Sequence, residues 1–246
     1  MTGKKPVYLI LGAAGGIGSA LARRLAASGA RLMLAGKSGE RLDALATELG
    51  ATVCTLDARD VLQVEGCVTA AISDHGRLDG VVNCVGSLLL KPAHLTRPEE
   101  WDEIIATNLT SAFATVRAAA RAMMEDGGSI VLVASAAAET GLANHEAIAA
   151  AKGGVAALAR AAAATYAPHN VRVNAVAPGL VETPLTERIT RSPAARESSQ
   201  HMHALGRLGT PNDVASLIAW LLNPENGWIT GQVIGIDGGL SRVRPR

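Results

Sequence analysis

Short apolar runs alternate along this chain with segments whose apolar residues recur every three to four positions. The first run, Val7-Tyr-Leu-Ile-Leu11, leads through a glycine-rich turn into a segment with Ile17, Leu21 and Leu25 on one face. Arg31-Leu-Met-Leu-Ala35, Thr52-Val-Cys-Thr-Leu56, Gly80-Val-Val-Asn-Cys-Val85, Ser129-Ile-Val-Leu-Val-Ala134, Val171-Arg-Val-Asn-Ala-Val176 and Gln232-Val-Ile-Gly-Ile236 are further strand-like runs. Between them, helical spacing appears over Glu40–Leu49, at Val64, Val68 and Ile72, over 99–124, over 147–166 and over Pro211–Leu222. The strand runs are continuously apolar, which suits parallel strands covered on both faces. Strand–helix alternation of this kind predicts an α/β, Rossmann-type doubly wound parallel sheet of about seven strands with helices on both faces. No composition break divides the chain, so residues 1–246 read as a single domain. Residues 183–209 stand apart: polar, interrupted by Pro184 and Pro193, and placed beyond the end of the sixth strand. Ligands of such folds bind at carboxyl strand ends, so this stretch is expected to be a mobile substrate flap.

Composition narrows the partners. The 246 residues carry a formal net charge of +1 and 2% aromatic residues. Neither a global field for nucleic acid or an anionic membrane nor a set of base-stacking platforms is expected. The basic C-terminal stretch Arg242-Val-Arg-Pro-Arg246 reads as a solvated tail, and Trp220 and Trp228 as core or interface anchors. Lys4 and Lys5 precede an apolar run that glycines interrupt at once, so no leader or membrane span is expected and a cytoplasmic location follows by default. Cys54, Cys67 and Cys84 are widely spaced within apolar patterns and read as reduced core thiols. His201-Met-His203 offers two imidazoles without neighbouring carboxylates or cysteines, too few ligands for a metal site, and none is expected.

The stretch Gly12-Ala-Ala-Gly-Gly-Ile-Gly18 lies between a strand and a helix. Glycines there permit a tight turn and let a pyrophosphate approach the helix N-terminus, where free N–H groups and the helix dipole favour anions. Dinucleotide binding is therefore the leading reading over an ordinary turn.

The chain as a whole resembles the short-chain dehydrogenase/reductase family. The matching pieces are Gly12-x-x-x-Gly16-x-Gly18, Asp57 after the third strand, Asn83-Cys-Val-Gly86, Asn108, Ser135, Lys152, Arg172-Val-Asn174 and Pro178-Gly179, in the family's order from about residue 7 to 240. Leu11 stands where the family usually has Thr. The resemblance implies that Gly12, Gly16, Ile17 and Gly18 cradle a pyrophosphate and that Asp57 and Ala58 meet an adenine. Asn83 and Gly86 would line the adenosine side or simply shape the strand end. Lys152 would hold the nicotinamide ribose, and Pro178, Gly179 and Thr183 would border the nicotinamide. Family members also pair the helices that carry Asn108 and Lys152 across dimer axes. With the alanine-rich face of 147–167 needing cover, a homodimer or homotetramer is expected.

Cofactor preference follows from charge. An acid at the end of the second strand favours NAD, because it binds the ribose 2′-hydroxyl and repels a 2′-phosphate. Here that place holds Gly36, followed by Lys37 and Ser38, which favours NADP over NAD. Gly15, where many NADP-using relatives carry a base, argues the other way.

The family's catalytic set is Asn, Ser, Tyr and Lys, with Tyr four residues before Lys. Ser135 and Lys152 keep their places, but Ile148 occupies the tyrosine position. A positioned general acid contributes about 10²- to 10⁴-fold, and isoleucine supplies none of it. Three readings follow. His145, seven residues before Lys152, replaces the acid, or else it simply lines the site or an exposed loop, while Asn108 and Ser135 orient substrate and water; Glu146 is a weaker candidate because it points to another face. Alternatively, the protein reduces an activated double bond or an iminium-like carbon that needs no tyrosine proton. Finally, it binds NADP without catalysis, as a sensor, scaffold or partner subunit. The leading expectation is an NADP-dependent oxidoreductase acting on a small carbonyl, alcohol or activated alkene.

Overall fold

The computed structural model describes residues 5–37 and 39–244, so Ser38 lies outside the described residues. Seven parallel strands form one sheet in the order β3-β2-β1-β4-β5-β6-β7. They are β1 (Val7–Leu11), β2 (Arg31–Gly36), β3 (Thr52–Thr55), β4 (Gly80–Asn83), β5 (Gly128–Val133), β6 (Val171–Pro178) and β7 (Val233–Ile236). The strand order reverses between β1 and β4, which opens a crevice at their carboxyl ends.

Helices cover both faces and enclose two cores. Side chains alternate across a strand, so Val7, Leu9 and Leu11 enter one core while Tyr8 and Ile10 enter the other. The first core is roofed by α3 (Val61–His75), α5 (Ser111–Met123) and α6 (Glu146–Tyr166), the second by α1 (Gly16–Ala27), α2 (Glu40–Leu49) and α9 (Pro211–Leu222). Full coverage holds for the inner strands: β1, β4 and β6 are buried throughout, whereas the edge strands β3 and β7 are only partly covered. The segment Glu146–His169 is long and apolar enough by composition to cross a membrane, but here it packs against β6 and α5 within the first core.

Several expectations are refined or corrected. The helical run over 99–124 is two helices, α4 (Pro98–Ile105) and α5, joined by a π-turn at Ala106–Thr110. Strand β4 stops at Asn83, not at residue 85, because the Asn83 side chain accepts the Val85 N–H at 2.8 Å and turns the chain. Residues 183–209, expected to form a substrate flap, carry regular structure. They hold a 3₁₀ turn (Pro184–Thr186), α7 (Glu187–Thr190) and α8 (Pro193–Met202), whose first turn Ser192 caps by accepting from Ala195 N. The base of this segment is stitched shut, Glu182 N donating to Gly209 O and Gly209 N to Leu180 O, both at 2.9 Å. The described residues of the C-terminal tail, 242–244, are exposed as expected, and Arg242 pairs across the surface with Glu139 at 2.6 Å. Trp228 is 99% exposed and Trp220 44%, so neither is a core anchor of this chain.

Candidate active site

The glycine turn is shaped by contact as much as by freedom. Gly12 has φ +74°, and a Cβ there would meet the Cys84 and Val85 backbone at 2.9 Å. A side chain at Gly18 would strike the Gly12 carbonyl, so these two glycines let β1, α1 and the β4 exit approach one another. Gly16 is different, because a Cβ there would come within 2.7 Å of the Thr183 methyl at the start of the α7–α8 segment. The N-cap of α1 is Gly15, which offers no side-chain cap. The first amides of α1 therefore keep donors for an anion, as a dinucleotide pyrophosphate requires.

Beside this turn a cavity of about 410 Å³ opens at the carboxyl ends of β4, β5 and β6. It gathers Gly86, Asn108, Ser135, His145, Ile148 and Lys152, with Ile17, Pro178, Gly179 and Thr183 on its rim. Gly12, Gly16 and Gly18 form the adjoining turn. Asn83 does not reach the cavity: it is buried, and its amide donates to Thr115 Oγ1 at 3.0 Å and Ser111 Oγ at 3.3 Å, clamping β4 to α5. The remaining wall is apolar and includes Leu88, Leu90, Leu142, Leu185, Ile189 and Met202.

Lys152 enters from α6 and is 7% exposed. Its Nζ donates to Val133 O at 2.7 Å. Burial pushes its ammonium down to about 8, partly opposed by the nearby Cys84. The Cys84 thiol is in turn pushed up to about 12 by burial, so it stays a thiol. Cys84, expected as a core thiol, packs against the second core and also lines the cavity next to Lys152.

Asn108 sits in the π-turn. Its Nδ2 donates to Ile104 O and to Ser87 Oγ, both at 3.0 Å, and its Oδ1 accepts from Ser87 N at 3.2 Å. Both amide hydrogens are thus committed, leaving Oδ1 as its free polar capacity toward the cavity. Ser135 begins the 3₁₀ turn Ala136–Ala138, and its Oγ accepts from Ala137 N at 3.1 Å. A hydroxyl that accepts in this way still has its own hydrogen to donate.

His145 occupies the N-cap position of α6 and is half-buried in the cavity wall. Its Nδ1 lies 2.7 Å from Ala143 O, an oxygen that only accepts, so Nδ1 carries hydrogen and Nε2 is the proton-exchanging nitrogen. Glu146 turns outward, its Oε1 accepting from Ala93 N. Ile148 lines the cavity and packs with Ile104, Ala147 and Ala151.

At the β2–β3 edge, Asp57 takes the Arg59 guanidinium on both oxygens, at 2.5 Å from Nη2, with Lys37 Nζ 3.9 Å away. Hydrogen bonding from Arg59 holds the Asp57 carboxyl down at about 2. This acid is thus ionised but locally neutralised, and Lys37 stays exposed. Ala58 beside it is buried.

Comparison with known proteins was made against this geometry. A family profile described as Enoyl-(Acyl carrier protein) reductase matches residues 12–241. The 3-oxoacyl-(acyl-carrier-protein) reductase FabG of Thermotoga maritima is 38% identical over 242 residues, covering 95% of this chain and 97% of that protein. A short-chain type dehydrogenase/reductase from Mycobacterium ulcerans superposes with a TM-score of 0.93 at 32% identity, covering 100% of this chain and 93% of its own. A variant of the actinorhodin polyketide ketoreductase, solved with NADPH, gives 0.92 at 30% identity, covering 97% and 98%.

Proposed function

The chain belongs to the short-chain dehydrogenase/reductase family, and from that premise we propose that it is a nicotinamide-dependent oxidoreductase, preferring NADP(H), in which His145 takes the proton role of the family's tyrosine. One observation carries this reading: Ser135, His145 and Lys152 line a single apolar cavity in which Ile148 has no proton to give. The ketoreductase with NADPH, alike over nearly its whole length, supports the nicotinamide cofactor.

The residues present fit such a group. The uncapped amides of α1 and the glycines of 12–18 would hold its pyrophosphate. Exposed Lys37 would meet a 2′-phosphate, and Asp57 and Ala58 the adenine. Lys152 would hold ribose hydroxyls, with Gly86 admitting the cofactor close to Asn108, and Pro178, Gly179 and Thr183 would border the nicotinamide ring. When bound, the cofactor supplies or receives a hydride.

This chain's own residues do the rest. Ser135 donates its hydroxyl hydrogen to the substrate oxygen. His145, anchored through Nδ1, delivers a proton from Nε2 to that oxygen in reduction and takes one in oxidation, and its half-exposed ring re-equilibrates with solvent. Ile148 and the leucine wall exclude water and accept an apolar substrate body. The substrate class is a small, uncharged, largely apolar carbonyl, alcohol or activated alkene.

The test compares wild type, His145→Ala and Ile148→Tyr with NADPH on a panel of carbonyls and enones. Loss of the acid should lower His145→Ala turnover by about 10²- to 10⁴-fold. Equal turnover of wild type and His145→Ala removes His145 from the mechanism. Turnover by Ile148→Tyr alone replaces this reading with that of an NADP-binding protein without catalysis.

A further inference from the structure

His203 follows the last residue of α8 and is 3% exposed. Its ring reaches back to the cofactor edge of the cavity. Nδ1 lies 2.6 Å from Ser199 O, and Nε2 accepts the Leu180 N–H at 3.1 Å. A side chain on Gly179 would collide with the same ring, and the ring also lies against the Gly238 turn beyond β7. One imidazole therefore joins α8, the exit of β6 and the exit of β7. These bonds define its protonation: a carbonyl oxygen requires hydrogen on Nδ1, and an incoming N–H requires a lone pair on Nε2. Only the neutral ring satisfies both. Protonation at Nε2 would set two N–H groups against each other across 3.1 Å.

We propose that neutral His203 is a positioning residue for the reaction. It fixes the Gly179–Leu180 backbone beside the nicotinamide place and ties that backbone to the α8 cover of the substrate cavity, and it lets go of both when protonated. The nicotinamide part rests on the function proposed above; the latch does not. No surrounding charge offsets an imidazolium here. Asp237 is bonded by Gly239 N, Ser241 N and Ser241 Oγ, while Arg207 and Asp213 pair with each other. On α8 itself, Glu197 and His201 are exposed. The β6 exit contributes no titratable group at 178–181, and His145, Cys84 and Lys152 lie in the cavity in front of the ring.

Two measurements test this on wild type, His203→Gln and His203→Leu. Gln keeps an acceptor for the Leu180 N–H but gains no proton near neutral pH, whereas Leu has no acceptor. Hydrogen exchange without cofactor, corrected for intrinsic rate, follows peptides over 178–185 and 192–205. Wild-type protection of the Leu180 amide should fall at least tenfold between pH 8 and pH 5. His203→Gln should stay protected at both, and His203→Leu at neither. Calorimetric titration with NADP⁺ should show affinity weakening several-fold over the same range in wild type but not in His203→Gln. Unchanged wild-type protection, or a parallel fall in His203→Gln, overturns the latch. If His203→Leu does not fold, the wild type–Gln comparison decides alone. Absence of NADP⁺ binding at every pH with the exchange pattern intact overturns the function proposed above and leaves the latch standing.

Discussion

Lys152 keeps an ammonium in a nearly dry cavity, and its stability cost has a pH signature. Burial lowers its pKa from the ordinary lysine value toward about 8. Between that value and the lysine range near 10, the unfolded chain binds more protons than the folded one, so stability rises with pH across this window. Below pH 8 both states are protonated and the whole cost is present. Relative to Lys152→Met, wild type should therefore gain on the order of 2 kcal/mol from pH 8 to pH 10, read from denaturant midpoints. A gap that stays constant over this range contradicts the assignment. At this scale the sequence was legible in where motif residues meet: Ser135, His145, Ile148 and Lys152 line one cavity. It placed Asn83 at the strand end and Asn108 in the catalytic set, but not the internal hydrogen bonds their side chains make, which only folding reveals.

The π-turn between α4 and α5 places the cavity floor. An inserted residue breaks the regular i→i−4 ladder, and the Asn108 amide fills the gap by donating to Ile104 O. The same side chain holds Ser87 through two further bonds and so fixes the loop after Gly86. Asn108→Ala should lower stability by about 1–3 kcal/mol, because buried partners lose their donors and acceptor. It should also loosen the Ser87 loop, seen as faster amide exchange at Ser87. An unchanged exchange rate there would show the π-turn to be self-supporting. Periodicity over 99–124 reveals the apolar face but not this break, since one extra residue displaces a helical stripe too little to register. The helices of 187–202 escaped notice for another reason. Their exposed faces are polar and Ser192 and Pro193 read equally as loop punctuation, although they are also a cap and a first-turn proline.

Sheet order makes one site from residues scattered over the chain. The exits of β1 and β4 flank the crevice, β5 delivers Ser135, and β6 delivers Pro178 and Gly179. A dinucleotide laid across this line contacts both halves of the sheet, so its binding should stabilise the whole domain. At a hundredfold excess over Kd the gain is about 2.7 kcal/mol, which raises Tm by roughly 5–11 °C in a chain of this size. NADPH should produce a larger shift than NADH, and Lys37→Ala should bring the two together. If NADPH raises Tm no more than NADH in wild type, the charge argument at Lys37 fails.

The sequence by itself determined the sheet and the helices that cover its two faces, because apolar periodicity and glycine spacing are local consequences of backbone geometry. It also supplied the expectation that Ile148 stands at the tyrosine position, since spacing from Ser135 and Lys152 is countable along the chain. Tertiary structure alone decided which polar side chains remain free. Asn83 is consumed by α5 and both Asn108 amide hydrogens by Ile104 and Ser87, Asp57 is neutralised by Arg59, and His203 is captured between Ser199 and Leu180. The Asp57–Arg59 pair and the bonds to Ile104 and Ser199 are local, but those of Asn83 to α5, Asn108 to Ser87 and His203 to Leu180 join separate elements, and a hydrogen bond across such distances leaves no periodic trace in the sequence that makes it.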